Sequence, residues 1–403
     1  MDLTNPGFLK LELMAKGISV DERYQQEVYL MCSPRASLGV PDGIDLILPE
    51  DTYVYAPACD RLARSSPYLL TKEKGRFVIA CGDLLADVEV VPQPSLMSRS
   101  TSTGIPFSQF CRVYGGYIAI NPIASCEFFT DGLECRFCGV DGRVKEQRTV
   151  EEVLEAVHQA LSEGAADYVH LNTGFFTGED GGVALLAPYI EAIKKRFDTL
   201  VCIQVQPPKS NSWIDQTYAL GVDSVAYNLE VFDPETFERV CPGKAQLIGR
   251  DRFFKALEYA ARVFPEGAVV SNLIVGLETP ESTMAGIDAL TRIGVVPTLS
   301  LFHPVEGTDL AATPPPDTEK IVPIFAHLFQ SVKRHKLKTG WIRHYSVVVN
   351  AMEGHFFTGD KEEGILSSVL RLKKGGRIAR NISKLRRKLR VRNVSDSLES
   401  SGL

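Results

Sequence analysis

The chain has 403 residues, 44% hydrophobic and 23% charged, which suffices for one large globular domain with additions or for two domains. No stretch reaches the roughly 18 consecutive apolar residues of a membrane span, and "MDLTNPGFLKLELMAKG" lacks a signal peptide's basic start and unbroken apolar run, so the expected address is the cytosol. Nine cysteines, an odd number without an export signal, point to thiols or metal ligands in a reducing compartment and away from a disulfide framework.

Residues 1–110 read as an N-terminal accessory region. "GRFVIACGDLLADVEVVPQP" suggests a small strand-rich element, and "PSLMSRSTSTG" (94–104) a polar connection. A cap over whatever mouth the next region presents is one role for it. Cys32, Cys59, Cys81 and Cys111 are too dispersed here for a cluster motif.

A rhythm starts at "GGYIAIN" (115–121), a first strand. A helix follows from the capping box of Thr149 and Glu152, with an apolar stripe through Val150, Val153, Leu154, Val157 and Leu161. Strand "DYVHLNTG" (167–174) leads to helix "VALLAPYIEAIKKRF"; "TLVCIQVQ" (199–206) leads to a helix capped by Ser212 and closed by Gly221. "DSVAYNLE" (223–230) precedes Asp233-Pro234, an N-cap with proline at the first helical position, and then the helix "RDRFFKALEYAARVF". "AVVSNLIVGLE" (268–278) precedes Thr279-Pro280 and a helix ending near Gly294, and "PTLSLFHP" (297–304) supplies a sixth strand.

Strands alternating with helices imply an α/β fold with a parallel sheet and right-handed crossovers, as a barrel or an open doubly wound sheet. Both put chemistry at the C-terminal strand ends, where the polar residues gather: the cysteines after the first strand, "NTGFFTGEDGG" after the second, "QVQPPKS" after the third, "NLE" after the fourth, "GLE" after the fifth and His303 on the sixth. Residues 311–360, with "ATPPPD", the helix "TEKIVPIFAHLFQSVKRH" and a seventh strand at "RHYSVVVN" (343–350), are expected to close the other side. Residues 361–403 form a basic tail. Its stretch 371–392 holds eleven Lys and Arg and no acid, with Ile378, Ile382, Leu385 and Leu389 at helical spacing. Such a helix suits an anionic membrane surface, an RNA or an acidic protein, or the protein's own acidic body.

"CEFFTDGLECRFCGV" (126–140) groups Cys126, Cys135 and Cys138 in one segment. A structural zinc site wants four ligands, and no second C-x-x-C or H-x-x-x-H occurs. Three thiolates on a [4Fe-4S] cluster leave one iron open to a cofactor or substrate.

Three clustered cysteines after the first strand of an expected barrel, the last pair with aromatic Phe137 before Cys138, resemble the cluster loop of the radical S-adenosylmethionine superfamily. The first gap, eight residues where most members have three, departs from the usual spacing and suggests an unusual subfamily. The resemblance covers roughly residues 115–310, assigns 111–310 to a partial or complete parallel (β/α) TIM-type barrel, and is closest in motif style to biotin synthase and lipoyl synthase. "HLNTGFFTGEDGGVALLAPYIEAIKK" is similar to a glycine-rich stretch of lipoyl synthases, with Glu179, Asp180, Gly181 and Gly182 at matching places; "YNLE" is similar to the ribose-binding segment of both synthases; and "FERVCPGK" and "SNLIVGLET" add to the likeness.

The resemblance implies a [4Fe-4S] cluster on Cys126, Cys135 and Cys138, beside Phe137, and S-adenosyl-L-methionine as cofactor. Cleavage of that cofactor to a 5′-deoxyadenosyl radical would abstract hydrogen from a small or medium-sized metabolite, for rearrangement, carbon–carbon bond formation or heteroatom insertion. Gly174 and Gly178 would let backbone approach the methionine amine, and Asn228 and Glu230 would meet the ribose. A flavodoxin or ferredoxin would supply the electron. Lipoyl synthase's auxiliary cysteine pattern is missing, which speaks against that activity itself.

Other residues keep two readings. His303 touches cofactor or substrate, or makes a structural hydrogen bond; Glu179 and Asp180 serve the cofactor or cap the next helix; Arg250 binds a carboxylate or lies on the surface; Cys202 and Cys241 are core or rim thiols. A noncatalytic zinc-binding or nucleic-acid-associated protein that uses the basic tail is the alternative for the whole chain.

Overall fold

The computed structural model describes residues 2–29, 42–130, 132–140, 142–143, 145–339 and 345–358. Cys32 and the basic tail lie outside them. In chain order the first part holds α1 (Pro6–Lys16), β1 (Ser19–Val20), α2 (Gln25–Tyr29), β2 (Gly43–Leu48), β3 (Thr52–Pro57), α3 (Arg61–Arg64), β4 (Leu69–Glu73), β5 (Arg76–Cys81), β6 (Leu84–Asp87) and β7 (Glu89–Val90). These make two small sheets, in the orders β1-β4-β5-β6 and β3-β2-β7.

The larger sheet starts with β8 (Cys111–Tyr114) and β9 (Tyr117–Ala124), an antiparallel pair, and β10 (Glu146–Gln147) flanks β9. Then α4 (Val150–Ser162), β11 (Tyr168–Thr173), α5 (Val183–Arg196), β12 (Leu200–Gln204), α6 (Asn211–Ala219), β13 (Ser224–Ala226), α7 (Pro234–Val240), α8 (Pro242–Leu247), α9 (Arg250–Val263), β14 (Val269–Val275), α10 (Pro280–Arg292), β15 (Val296–Leu301) and α11 (Thr318–Arg334) follow. β9, β11, β12, β13, β14 and β15 pair in parallel and in sequence order, one after the next. The sheet curls into a partly closed half-barrel flanked by its crossover helices.

Local signals start the helices where the sequence places them. Thr149 Oγ1 accepts from Glu152 N–H while the Glu152 carboxylate accepts from Thr149 N–H. Asp233 and Thr279 cap α7 and α10 with Pro at the first position. α6 begins two residues earlier than expected: Ser210 is its N-cap, and the Ser212 hydroxyl pairs with that of Ser210.

Along β11, Val169 and Leu171 join the core under the helices, so Tyr168, His170 and Asn172 line the inner face. At the N-terminal end of the strands, the rings of Tyr117, Tyr168 and Tyr345 pack against one another, with Tyr117 to Tyr345 centroids 4.7 Å apart. They form a floor.

The expected seventh strand does not extend the parallel sheet. Among the described residues, Val349 instead makes an isolated antiparallel bridge to Leu299 of β15, and Ser346 O accepts from Tyr55 N–H of β3. Residues 345–350 thereby join the last barrel strand to the N-terminal part, which stands at the open edge of the half-barrel. Helix α1 secures this: Lys10 Nζ reaches Tyr345 O and Glu353 Oε1 at 2.7 Å, and Phe8 meets Phe357 edge to face. No helix among the described residues is long and apolar enough to cross a membrane.

Candidate active site

β9 ends at Ala124, and the cysteine loop begins two residues later. Its long first gap has a structural use. Glu127–Phe129 forms a single 3₁₀ turn that buries Phe128 face to face on Phe175, 4.2 Å away and 7° from parallel. Phe175 belongs to the segment after β11, so the turn clips the loop to the second strand. Glu127 N–H donates to Phe175 O, and the Glu127 carboxylate accepts from Thr177 N–H.

A second wall comes from the turn between α7 and α8. Arg136 N–H donates to Val240 O at 2.9 Å and Gly243 N–H to Leu133 O at 3.0 Å. Phe137 is half-buried against the core.

The three thiols lie within electrostatic reach of one another. Burial raises the pKa of Cys126 against the pull of Phe175 N–H, which donates to its Sγ at 3.3 Å, and of nearby Lys244. Cys135 shares a hydrogen bond with Cys241; that bond first, and burial second, push it well above the usual thiol range. Cys138 is pushed up to about 12 by burial. Protonated thiols must release protons to bind iron or zinc. Among the described residues no group of three His, Cys, Asp or Glu side chains is set to hold a metal ion as it stands. As donors, three half-buried thiols on one loop, two bonded by backbone N–H groups and two beside a cation, fit an iron–sulfur group by kind.

Across the strand ends runs a polar chain. Glu230, in the left-handed region at φ 73°, receives Lys244 Nζ at 2.9 Å on one carboxylate oxygen and Asn272 Nδ2 at 3.3 Å on the other. Asn272 Nδ2 also donates to Ser300 Oγ, and Asn228 Oδ1 accepts from Asn272 N–H. A non-glycine residue held in that backbone region is strained, and such residues concentrate at functional sites. Asn172 Oδ1, Thr173 Oγ1 and Gln206 Oε1, around the ends of β11 and β12, are buried without a hydrogen-bond partner among the described residues. Buried acceptors left over at strand ends ask for a ligand or ordered water.

The other singled-out residues fall as follows. A Cβ on Gly174 would lie 2.3 Å from Ser125 O and 2.5 Å from Cys126 Cβ, so this glycine lets the second strand pass close behind the first cysteine; at Gly178 the only near contact is the Asp180 carboxylate. Asp180 caps α5 through Ala184 N–H, and Glu179 pairs with Lys209 on the surface. Arg250 donates to Phe232 O and lies between the rings of Phe232 and Phe254, 4.5 and 5.0 Å from their centroids. The ring of His303 is bonded by Asp60. Cys202 is buried on the inner face, level with His170. Residue-by-residue reading left Lys244, His170 and Phe128 without a role, although "FERVCPGK" contained the signal for the first: a lysine next to a Cys-Pro-Gly turn.

Residues 120–290, from β9 to the end of α10, match the profile of the Radical SAM superfamily. The domain belongs to that superfamily. A curated relative of this chain is the bacteriochlorophyllide c C-7(1)-hydroxylase of Chlorobaculum limnaeum, 25% identical over 268 residues, or 60% of this chain. The match covers 66% of that relative, just under two thirds of its length. Among solved structures, methylornithine synthase overlaps at 16% identity with a TM-score of 0.44, over 77% of this chain and 91% of its own. The FeFe-hydrogenase maturase HydG of Carboxydothermus hydrogenoformans overlaps at 16% identity and 0.40, over 55% and 51%.

Proposed function

We propose that the chain is a radical S-adenosyl-L-methionine enzyme, with a [4Fe-4S] cluster on Cys126, Cys135 and Cys138 and its substrate inside the half-barrel. The observation that carries this reading is the cysteine loop itself: three thiols after the first parallel strand, clipped to the second strand and to the turn after the fourth. When bound, cluster and cofactor together supply a one-electron cleavage that yields methionine and a 5′-deoxyadenosyl radical able to take a hydrogen atom from the substrate.

The chain's own residues position and exclude. Phe128 and Phe175 hold the loop rigid; Glu230 and Asn228 present oxygens at the strand ends for the ribose; Asn172, Thr173 and Gln206 offer unclaimed acceptors to cofactor or substrate donors. The tyrosine floor shuts the far end against water, which would quench selectivity. To bind iron, Cys135 must release its proton, against the pull of its hydrogen bond with Cys241.

Among rearrangement, carbon–carbon bond formation and heteroatom insertion, we favour the last, because the curated relative is a hydroxylase. The likeness to biotin and lipoyl synthases stays one of motif style. A flavodoxin or ferredoxin would deliver the electron, and an anionic partner would explain the basic tail.

The test is anaerobic. Purified protein is reconstituted with iron and sulfide, given S-adenosyl-L-methionine and dithionite, and assayed for 5′-deoxyadenosine, alongside Cys126→Ala, Cys135→Ala and Cys138→Ala. Product that vanishes in all three variants is expected. A colourless protein that retains zinc and makes no product overturns the reading.

A further inference from the structure

Among the described residues Lys244 is one of the few buried cations, 3% exposed, on the short helix α8. Its ammonium donates to Asn228 O at 2.7 Å and to Glu230 Oε1 at 2.9 Å, and lies 5.6 Å from the Phe253 ring centroid. Removing a charge from water costs several kcal/mol, in order of magnitude, unless a partner and further hydrogen bonds offset it. A lysine kept so deep needs a reason that a surface pair does not.

Its surroundings supply one. Cys241, Pro242 and Gly243, the three residues before it, are the wall of the cysteine loop. Gly243 is bonded to Leu133, a Cβ there would fall 2.4 Å from Phe128 and 2.6 Å from Leu133 O, and Cys241 touches Cys135. Loop and turn meet without slack, so the ammonium is held at a set place beside the thiols. The ammonium lies within electrostatic reach of Cys126 and Cys135, and the Glu230 carboxylate within reach of Cys135 and Cys138.

We propose that Lys244 is a positioning residue of the cluster loop: its buried ammonium ties the wall of the loop to the fourth strand's acid and is the counter-charge for the thiolates of Cys126 and Cys135. Without it, thiolates and Glu230 would face one another as like charges in a poorly screened interior, which is costly. A cation at this place also stabilises whichever state of a bound cluster carries the extra electron, because net charge around a cluster sets its potential.

This inference rests on the function proposed above, and its test separates the two. Wild type, Lys244→Met, Lys244→Arg and Glu230→Gln are reconstituted anaerobically, then read for iron and sulfide per chain, for midpoint potential by reductive titration, and for folding by thermal melt. Lys244→Met is expected to shift the potential to more negative values and to take up severalfold less iron when iron is limiting. Lys244→Arg is expected to restore both, and Glu230→Gln, which removes the opposing charge, to shift the potential the other way. Should Lys244→Met fail to fold, Lys244→Gln, which removes the charge but keeps a polar side chain, is read in its place for the same negative shift. Wild-type potentials in every folded variant overturn the role of Lys244 while leaving the cluster in place. A wild-type protein that takes up no iron overturns the function proposed above, and this inference with it.

Discussion

His303, just past the end of β15, and Asp60, at the N-cap of α3, share a hydrogen bond across 243 residues of sequence. Asp60 also accepts from Ala63 N–H at 2.7 Å. Burial alone would raise its carboxyl, but these bonds win and hold it below the usual carboxylate range. His303→Ala leaves the half-buried carboxylate with fewer partners, so we expect a stability loss of about 1–3 kcal/mol. In urea unfolding this appears as a lower midpoint at unchanged slope. An unchanged midpoint with lost cofactor cleavage would place His303 on the cofactor instead.

Gly174 and Gly178 should respond differently to alanine. At Gly174 the added methyl meets backbone oxygen and the first cysteine, neither of which can turn aside; at Gly178 it meets the end of a side chain that can. Overpacking of the first kind costs about 1–3 kcal/mol. Gly174→Ala is therefore expected to hold several times less iron after reconstitution, and Gly178→Ala to match wild type. Equal iron in both variants would contradict the packing role given to Gly174.

What was legible in the sequence was local. Six apolar runs, the box at Thr149 and Glu152, and the Asp233-Pro234 and Thr279-Pro280 starts each signal their own element, and all six parallel strands follow. What was hidden depends on partners far along the chain. "SVVVN" has a strand's composition, but only the free edge of β15 decides that it runs antiparallel there as an isolated bridge. The eight-residue gap shows only its length; that Phe128 fills it by stacking on Phe175 requires the second strand to be in place. The motif glycines look alike in sequence, yet Gly181 and Gly182 serve left-handed backbone while Gly174 serves a close approach.

Phe128, 2% exposed, is the anchor of the enlarged loop. Truncating a buried phenylalanine to alanine costs about 3–5 kcal/mol when the cavity does not collapse. The cavity here would open under the cysteine loop, so Phe128→Ala should expose residues 126–138 before the rest of the chain. Limited proteolysis read by mass spectrometry is expected to find early cuts in this loop, absent from wild type and reduced in Phe128→Leu. Uniform cleavage across the chain would mean that the stack stabilises the whole fold and not the loop.

His170 gives a prediction for pH. It lies on the inner face, level with Ala119 of β9 and Cys202 of β12, its ring edge-on to Tyr117 at 5.6 Å. Burial holds its pKa down to about 4, against 6.5 for a free imidazole. Between those values the unfolded chain binds a proton that the folded chain refuses, so stability falls as pH drops through this window and levels off below it. The shift corresponds to about 3 kcal/mol. Asp45 works in the other direction: burial raises its carboxyl to about 7, so the folded state takes up a proton first and gains stability as pH falls from about 7 towards 3.8. The wild-type slope is a difference of the two, and single variants separate them. On acidification from about pH 7 to 4, His170→Asn should lose less stability than wild type in urea unfolding, and Asp45→Asn should lose more. Parallel curves for His170→Asn and wild type would mean that His170 finds a proton-stabilising partner inside the half-barrel.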